Sequence, residues 1–260
     1  RDADGCYRFN ADFTNVGDLD ARLDDLSGLY GEDIEASREQ REELATRFFA
    51  AVEEGDFEGL EELLAHDVLP RLAEKVTTTQ VRLTLAPITG RSYTAPARVL
   101  ETPNPLSTPR FQLEEAKKTF QKEALRTFDE LRKRAAAECS RGTEISGALK
   151  AAGERARKPG RILVLAHGFE QSELMNLYDY RLKLEKREVR QGLLQRVKAR
   201  LGLPNLKDQE VCIAGITAGN DNNANARLTT SIKAFWEELI QASGGRLVGY
   251  GTTPRVCPFL

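Results

Sequence analysis

Apolar and polar positions alternate along this chain with two different periods, and the period switches repeatedly. Residues 7–13 place aromatic and polar side chains in turn and run into Thr14-Asn15-Val16-Gly17, which predicts a strand ending in a turn. From about residue 33 to 72 the spacing becomes helical. Leu44, Phe48 and Val52 recur every fourth position, Gly55-Asp56 interrupts, and a second helix is predicted from Glu58 to Ala65, with His66 at its end. Val76 to Ile88 is rich in β-branched and apolar residues and predicts a strand. Ala97 to Glu101 predicts another, stopped by the proline-bearing loop 103–109. A long helix follows from Phe111 to Glu138, its stripe formed by Ala116, Phe120, Ala124, Phe128 and Leu131.

The second half alternates more cleanly. A helix is predicted from Gly142 to Arg157 with Thr143 as its cap, and Pro159-Gly160 ends it. Ile162-Leu163-Val164-Leu165 and Val211 to Ile216 are continuous apolar runs, as in strands covered on both faces. Between them lies a basic helix, Leu182–Leu201. Its many lysines and arginines read as a solvated face first and a docking face second. A polar loop at 219–225, a helix from Leu228 to Ala242 and a strand from Leu247 to Tyr250 complete the pattern. Phe235 and Trp236 fall on the buried stripe of that last helix. Alternating helices and strands predict an α/β fold with a mostly parallel sheet and helices on both faces.

Composition narrows the function classes. The 260 residues carry 38 basic and 40 acidic side chains, so no global field favours nucleic acid or an anionic membrane surface. An apolar share of 40% supports a sizeable core, and no apolar run approaches a membrane span. The chain opens on Arg1 rather than Met, so nothing follows from the lack of a leader. Cys212 sits in an apolar run and reads as a buried thiol. Cys6 and Cys257 either pair, which would imply an oxidising compartment, or stand as two separate thiols. Envelope, extracellular and cytoplasmic locations all stay open.

In parallel sheets, sites form beyond the carboxyl ends of the strands. Three segments bring oxygen or nitrogen side chains there: Asp12-Phe13-Thr14, Gly142-Thr143-Glu144-Ile145, and Ala166-His167-Gly168-Phe169-Glu170-Gln171-Ser172. Their order and spacing, with Val81–Ser92 and with Phe235-Trp236 ahead of Gly244-Gly245, resemble the von Willebrand factor type A-like (VWA) fold, bacterial type. The resemblance implies one domain over residues 1–260, a three-layer, Rossmann-like sheet with its first strand central, and a helical insertion near 30–75. It implies a metal-ion-dependent adhesion site of Asp12, Thr14 and Thr143, with His167 as an unusual fourth member, for Mg²⁺ or another divalent cation. Glu144, Glu170 and Asn220 would face a protein partner.

Two positions depart from the family's pattern: Val16 stands where a hydroxyl is expected, and His167 where an acid is expected. Imidazole suits Zn²⁺ better than Mg²⁺, so a metal-free crest competes with the metal-assisted one. The expected function is a non-catalytic binding or scaffolding module, with a metal-free structural member of a larger assembly as the alternative. A hydrolase is the weaker reading. Leu163–Phe169 looks like a strand and His-Gly loop, but no Gly-x-Ser-x-Gly elbow or downstream histidine follows. No phosphate-binding glycine motif occurs.

Overall fold

The computed structural model describes residues 62–137, 142–155, 160–216 and 224–260, all within one compact unit, Leu60–Leu260. Asp12, Thr14, Val16, Asn220, the strand expected at 7–13 and most of the insertion expected at 30–75 lie outside the described residues. The fold is mixed α/β. Its described helices are α1 (Leu69–Lys75), α2 (Arg110–Ala137), α3 (Ile145–Arg155), α4 (Arg187–Arg200) and α5 (Ala224–Ala242). Its strands are β1 (Arg82–Leu85), β2 (Arg98–Glu101), β3 (Gly160–Leu165), β4 (Gln209–Ala214) and β5 (Arg246–Gly251).

β1 and β2 form an antiparallel pair in register Arg82↔Glu101 to Leu85↔Arg98. The other three strands lie in the order β3-β4-β5, all parallel, with α4 and α5 as the crossovers. Parallel strands need such crossovers, because a short turn cannot return the chain to the starting edge. The expectation of a parallel sheet therefore holds for the second half of the chain.

The strands' alternating side chains feed different layers. Ile162, Val164, Val211 and Ile213 join Ile145 and Leu149 of α3, Leu193, Leu194 and Val197 of α4, and Ile232, Phe235, Trp236, Leu239 and Ile240 of α5 in one core. Phe235 and Trp236 are fully buried, as their stripe positions predict. Leu163, Leu165, Cys212 and Ala214 point the other way. They meet Val248 and a strap formed by the chain after β5, which contributes Cys257, Phe259 and Leu260. Leu163 and Leu165 also reach a second cluster in which α1, α2 and β1 meet through Leu69, Ala73, Phe120, Ala124, Leu83 and Leu85.

The strap corrects the reading of the cysteines. Cys212 is not a thiol: it forms a disulfide with Cys257, with Cα atoms 5.7 Å apart. That bond also removes a Cys6–Cys257 pairing and a free Cys257. β5 admits the strap only because residue 249 is glycine. A Cβ there would lie 2.5 Å from both Cys212 Sγ and the Val256 carbonyl oxygen.

Two boundaries differ from expectation for local reasons. The helix expected to end near His66 continues: Leu63–Val68 forms a π-helical stretch that runs into α1, with Pro70 in the first turn. Proline brings no N–H to an α-helical ladder, and the widened turn just before it absorbs the change. The expected strand Val76–Ile88 shrinks to β1. Thr77 and Thr78 hydroxyls donate to the Glu74 and Lys75 carbonyls, so these residues finish a helix rather than start a strand.

Candidate functional site

The carboxyl end of β3 delivers Ala166 to Ser172 to one pole of the sheet, and the start of α3 arrives beside it. Thr143 and Gln171 exchange both backbone hydrogen bonds, at 2.8 and 3.0 Å. That approach requires Gly142, whose φ is +96° and whose Cβ, if present, would sit 2.0 Å from the Gln171 carbonyl oxygen.

Glu170 closes the junction. Its side chain is fully buried, with Oε2 accepting from the Ser146 backbone N–H at 2.8 Å. Oε1 accepts from the Ser146 hydroxyl at 2.8 Å and the Ser172 hydroxyl at 2.6 Å. The Ser146 N–H belongs to the first turn of α3, where backbone donors have no intrahelical partner and the helix dipole favours negative charge. Burial still dominates the titration. It pushes the Glu170 carboxyl above the usual glutamate range, against the three hydrogen bonds, and the nearby Glu144 charge adds to the rise.

Glu144 is held from the other side. Its N–H donates to the Thr89 carbonyl at 2.8 Å, and its Oε2 accepts from the Tyr93 N–H at 3.4 Å. Its pKa is also raised, by burial first, with Glu173 contributing. The loop 86–97 thus wraps over the start of α3 and joins the crest, a neighbour the motif spacing alone did not reveal.

Behind Glu170 the chain turns tightly. Leu177 N–H donates to the Glu170 carbonyl and Ser172 N–H to that of Met175, both at 2.8 Å. This sinks Leu174, Met175 and Leu177 into the core. Tyr178 is left outside, 52% exposed and stacked on Phe169 with ring centroids 4.8 Å apart. From below, Trp236 Nε1 donates to the Gly168 carbonyl at 2.8 Å, fixing the loop to α5. The Tyr250 hydroxyl is buried nearby without a hydrogen-bond partner among the described residues, and burial raises its pKa.

The structure therefore brings together Thr143, Glu144 and Glu170, with His167 half-buried on the same loop. Glu170 is interior rather than surface, its oxygens spent on two serines. Of the expected ligands Asp12, Thr14, Thr143 and His167, only Thr143 and His167 lie among the described residues. No group of three His, Cys, Asp or Glu that could hold a metal occurs among the described residues. Ser146, Ser172, Phe169 and Tyr178 were missed as site members; only the Glu-x-Ser spacing at 170–172 hinted at the first interactions. The basic helix is partly structural. Arg190 pairs with Glu238 at 2.9 Å and donates to the Leu184 carbonyl, and Arg196 donates to that of Leu174.

Comparison with known proteins leaves the assignment to the residues: no family model matches the chain, and no curated protein or solved structure matches it. Among the described residues, no helix is long and apolar enough to cross a membrane.

Proposed function

We propose that this chain is a non-catalytic protein-binding or scaffolding module of the VWA type, using the crest at the carboxyl ends of its parallel strands. The observation that carries the reading is the stitching of the α3 start to the loop after β3, by the Thr143–Gln171 bridge and the Glu170–Ser146 hydrogen bonds. The strand order supports it too. β3-β4-β5 are parallel, as that type of sheet requires, and β1 and β2 form a separate antiparallel pair.

The chemistry of the crest favours binding over bond-breaking. Glu170 accepts from both serines, so these hydroxyls serve a buried carboxylate that locks two loops. What faces outward is Tyr178, 52% exposed and stacked on the half-buried Phe169, an aromatic side chain of the kind that anchors protein contacts. The Glu170 oxygens are already used by Ser146 and Ser172, so Glu170 is not a contact for a partner.

The test is comparative capture from the native host, with Tyr178→Ala at the crest and Val99→Ser on β2 as a distant control. A partner enriched on the wild type, kept by V99S and lost from Y178A supports the crest. Loss from both variants, or from neither, removes it. Melting in millimolar Mg²⁺, Mn²⁺ and Zn²⁺ separates the metal-assisted from the metal-free form, since an ion bound only by the folded chain raises the Tm. A rise that Asp12→Ala abolishes would support the metal-assisted form.

A further inference from the structure

The amino ends of the same strands carry a second site, at the pole opposite the crest. Arg161, Glu210 and Arg246 are neighbours across three strands, in register Arg161↔Glu210↔Arg246. Glu210 pairs with Arg246 on one side and with Arg161 at 3.8 Å on the other. This row forms the polar wall of an open depression of about 510 Å³, whose remaining lining includes Val248 of β5 and Pro258 and Phe259 of the strap.

We propose that this depression binds a small organic acid, with its carboxylate on Arg161 and Arg246 and its apolar body on Val248, Pro258 and the exposed edge of Phe259. The charge count favours an anion. Two guanidinium groups share one carboxylate, and each carries five N–H donors in a planar fork suited to a second one. Their side chains are 59% and 73% exposed, so donors remain open to solvent and to a ligand. A third cation stands close by. The Lys75 amine donates to the Phe259 carbonyl, and its pKa is lowered by burial and then by the charge of Arg161. Positive groups that repel one another are relieved by a bound anion.

The lining also has a smaller apolar part, from Val248, Pro258 and Phe259. Phe259 is 7% exposed, so only the edge of its ring reaches the depression, with its centroid 5.9 Å from the Arg161 guanidinium carbon. An inorganic anion would leave that apolar part unused. The proposal does not depend on the crest reading, because it uses none of the same residues.

Calorimetric titration of the whole chain with octanoate, octanol and inorganic phosphate tests it. Octanoate is expected to bind saturably at millimolar concentration or below, more tightly than either comparator, and less tightly as salt rises. Arg161→Gln and Arg246→Gln should each weaken it about tenfold, with R246K between wild type and R246Q because it keeps the charge but loses the fork. An unchanged Tm in these surface variants shows that the fold is intact. The proposal is overturned if octanoate fails to saturate, if octanol or phosphate binds equally well, or if folded R161Q and R246Q bind octanoate like the wild type.

Discussion

The two faces of the β3-β4-β5 sheet are closed by different means. One carries three helices, whose leucines, isoleucines, Phe235 and Trp236 fill a continuous core with the strand residues. The other is covered around β4 by a short strap that offers Cys257, Phe259 and Leu260, tied down by one covalent bond. A helix brings an apolar stripe several turns long and holds itself by packing alone. A strap of a few residues buries too little for that, so a cross-link restricts the unfolded chain instead.

That contrast can be broken from either side. The largest loss is expected from Trp236→Ala, which opens a cavity in the helical core and strips the Gly168 carbonyl of its donor. Equilibrium denaturation should show about 3–5 kcal/mol, and the crest loop should gain hydrogen exchange. A loss confined to the loop would mean that α5 contributes position more than stability.

Next comes Cys257→Ser. The bond spans 45 residues of sequence, for which loop closure gives about 4 kcal/mol and engineered bonds often give less. Chemical reduction of the wild type should lower the Tm comparably. If it does not, the strap holds by packing and the two faces are alike after all.

The third effect depends on pH and belongs to the helical side. Glu170 titrates above its unfolded value because it is buried. Below the ordinary glutamate pKa both states are protonated and nothing is lost. As pH rises through that value and then through the raised one, the unfolded chain releases its proton first and the fold is progressively penalised. Glu170→Gln should flatten this decline in the Tm, leaving the strap's contribution untouched. A slope that survives E170Q would assign it to Glu144.

The smallest effect is on the strap's own ion pair. Arg255 lies 3.5 Å from Asp67 and is 73% exposed, so Arg255→Ala should cost within about 1 kcal/mol by denaturation. A larger loss would show that electrostatics, not the disulfide, holds the strap.

What could be read from the amino acids follows the same divide. The apolar runs at Ile162–Leu165 and Val211–Ile216 and the Phe120-Ala124-Phe128 stripe placed β3, β4 and α2 within a few residues, because burial imposes a period. The start of α4 was misjudged by five residues. Lys183 adopts a left-handed φ of 49°, which composition does not announce, and holds off the helix until Arg187. The Cys212–Cys257 pair was hidden because connectivity depends on where the chain returns, not on spacing. At the crest, Thr143 and Glu144 were legible as loop polar groups. The inward turn of Glu170 was not, since only the meeting of two distant segments makes a buried carboxylate tolerable.

The strap's attachment point has a mechanical consequence. Cys212 lies in β4, which is hydrogen-bonded on both sides, whereas β5 has β4 as its strand partner. Tension entering through the chain beyond Cys257 would reach the middle strand through sulfur and leave β5 and α5 slack inside a covalent ring. Unloading would then require β4 to lose its pairing with two neighbours, where a direct pull on β5 would meet its pairing with β4.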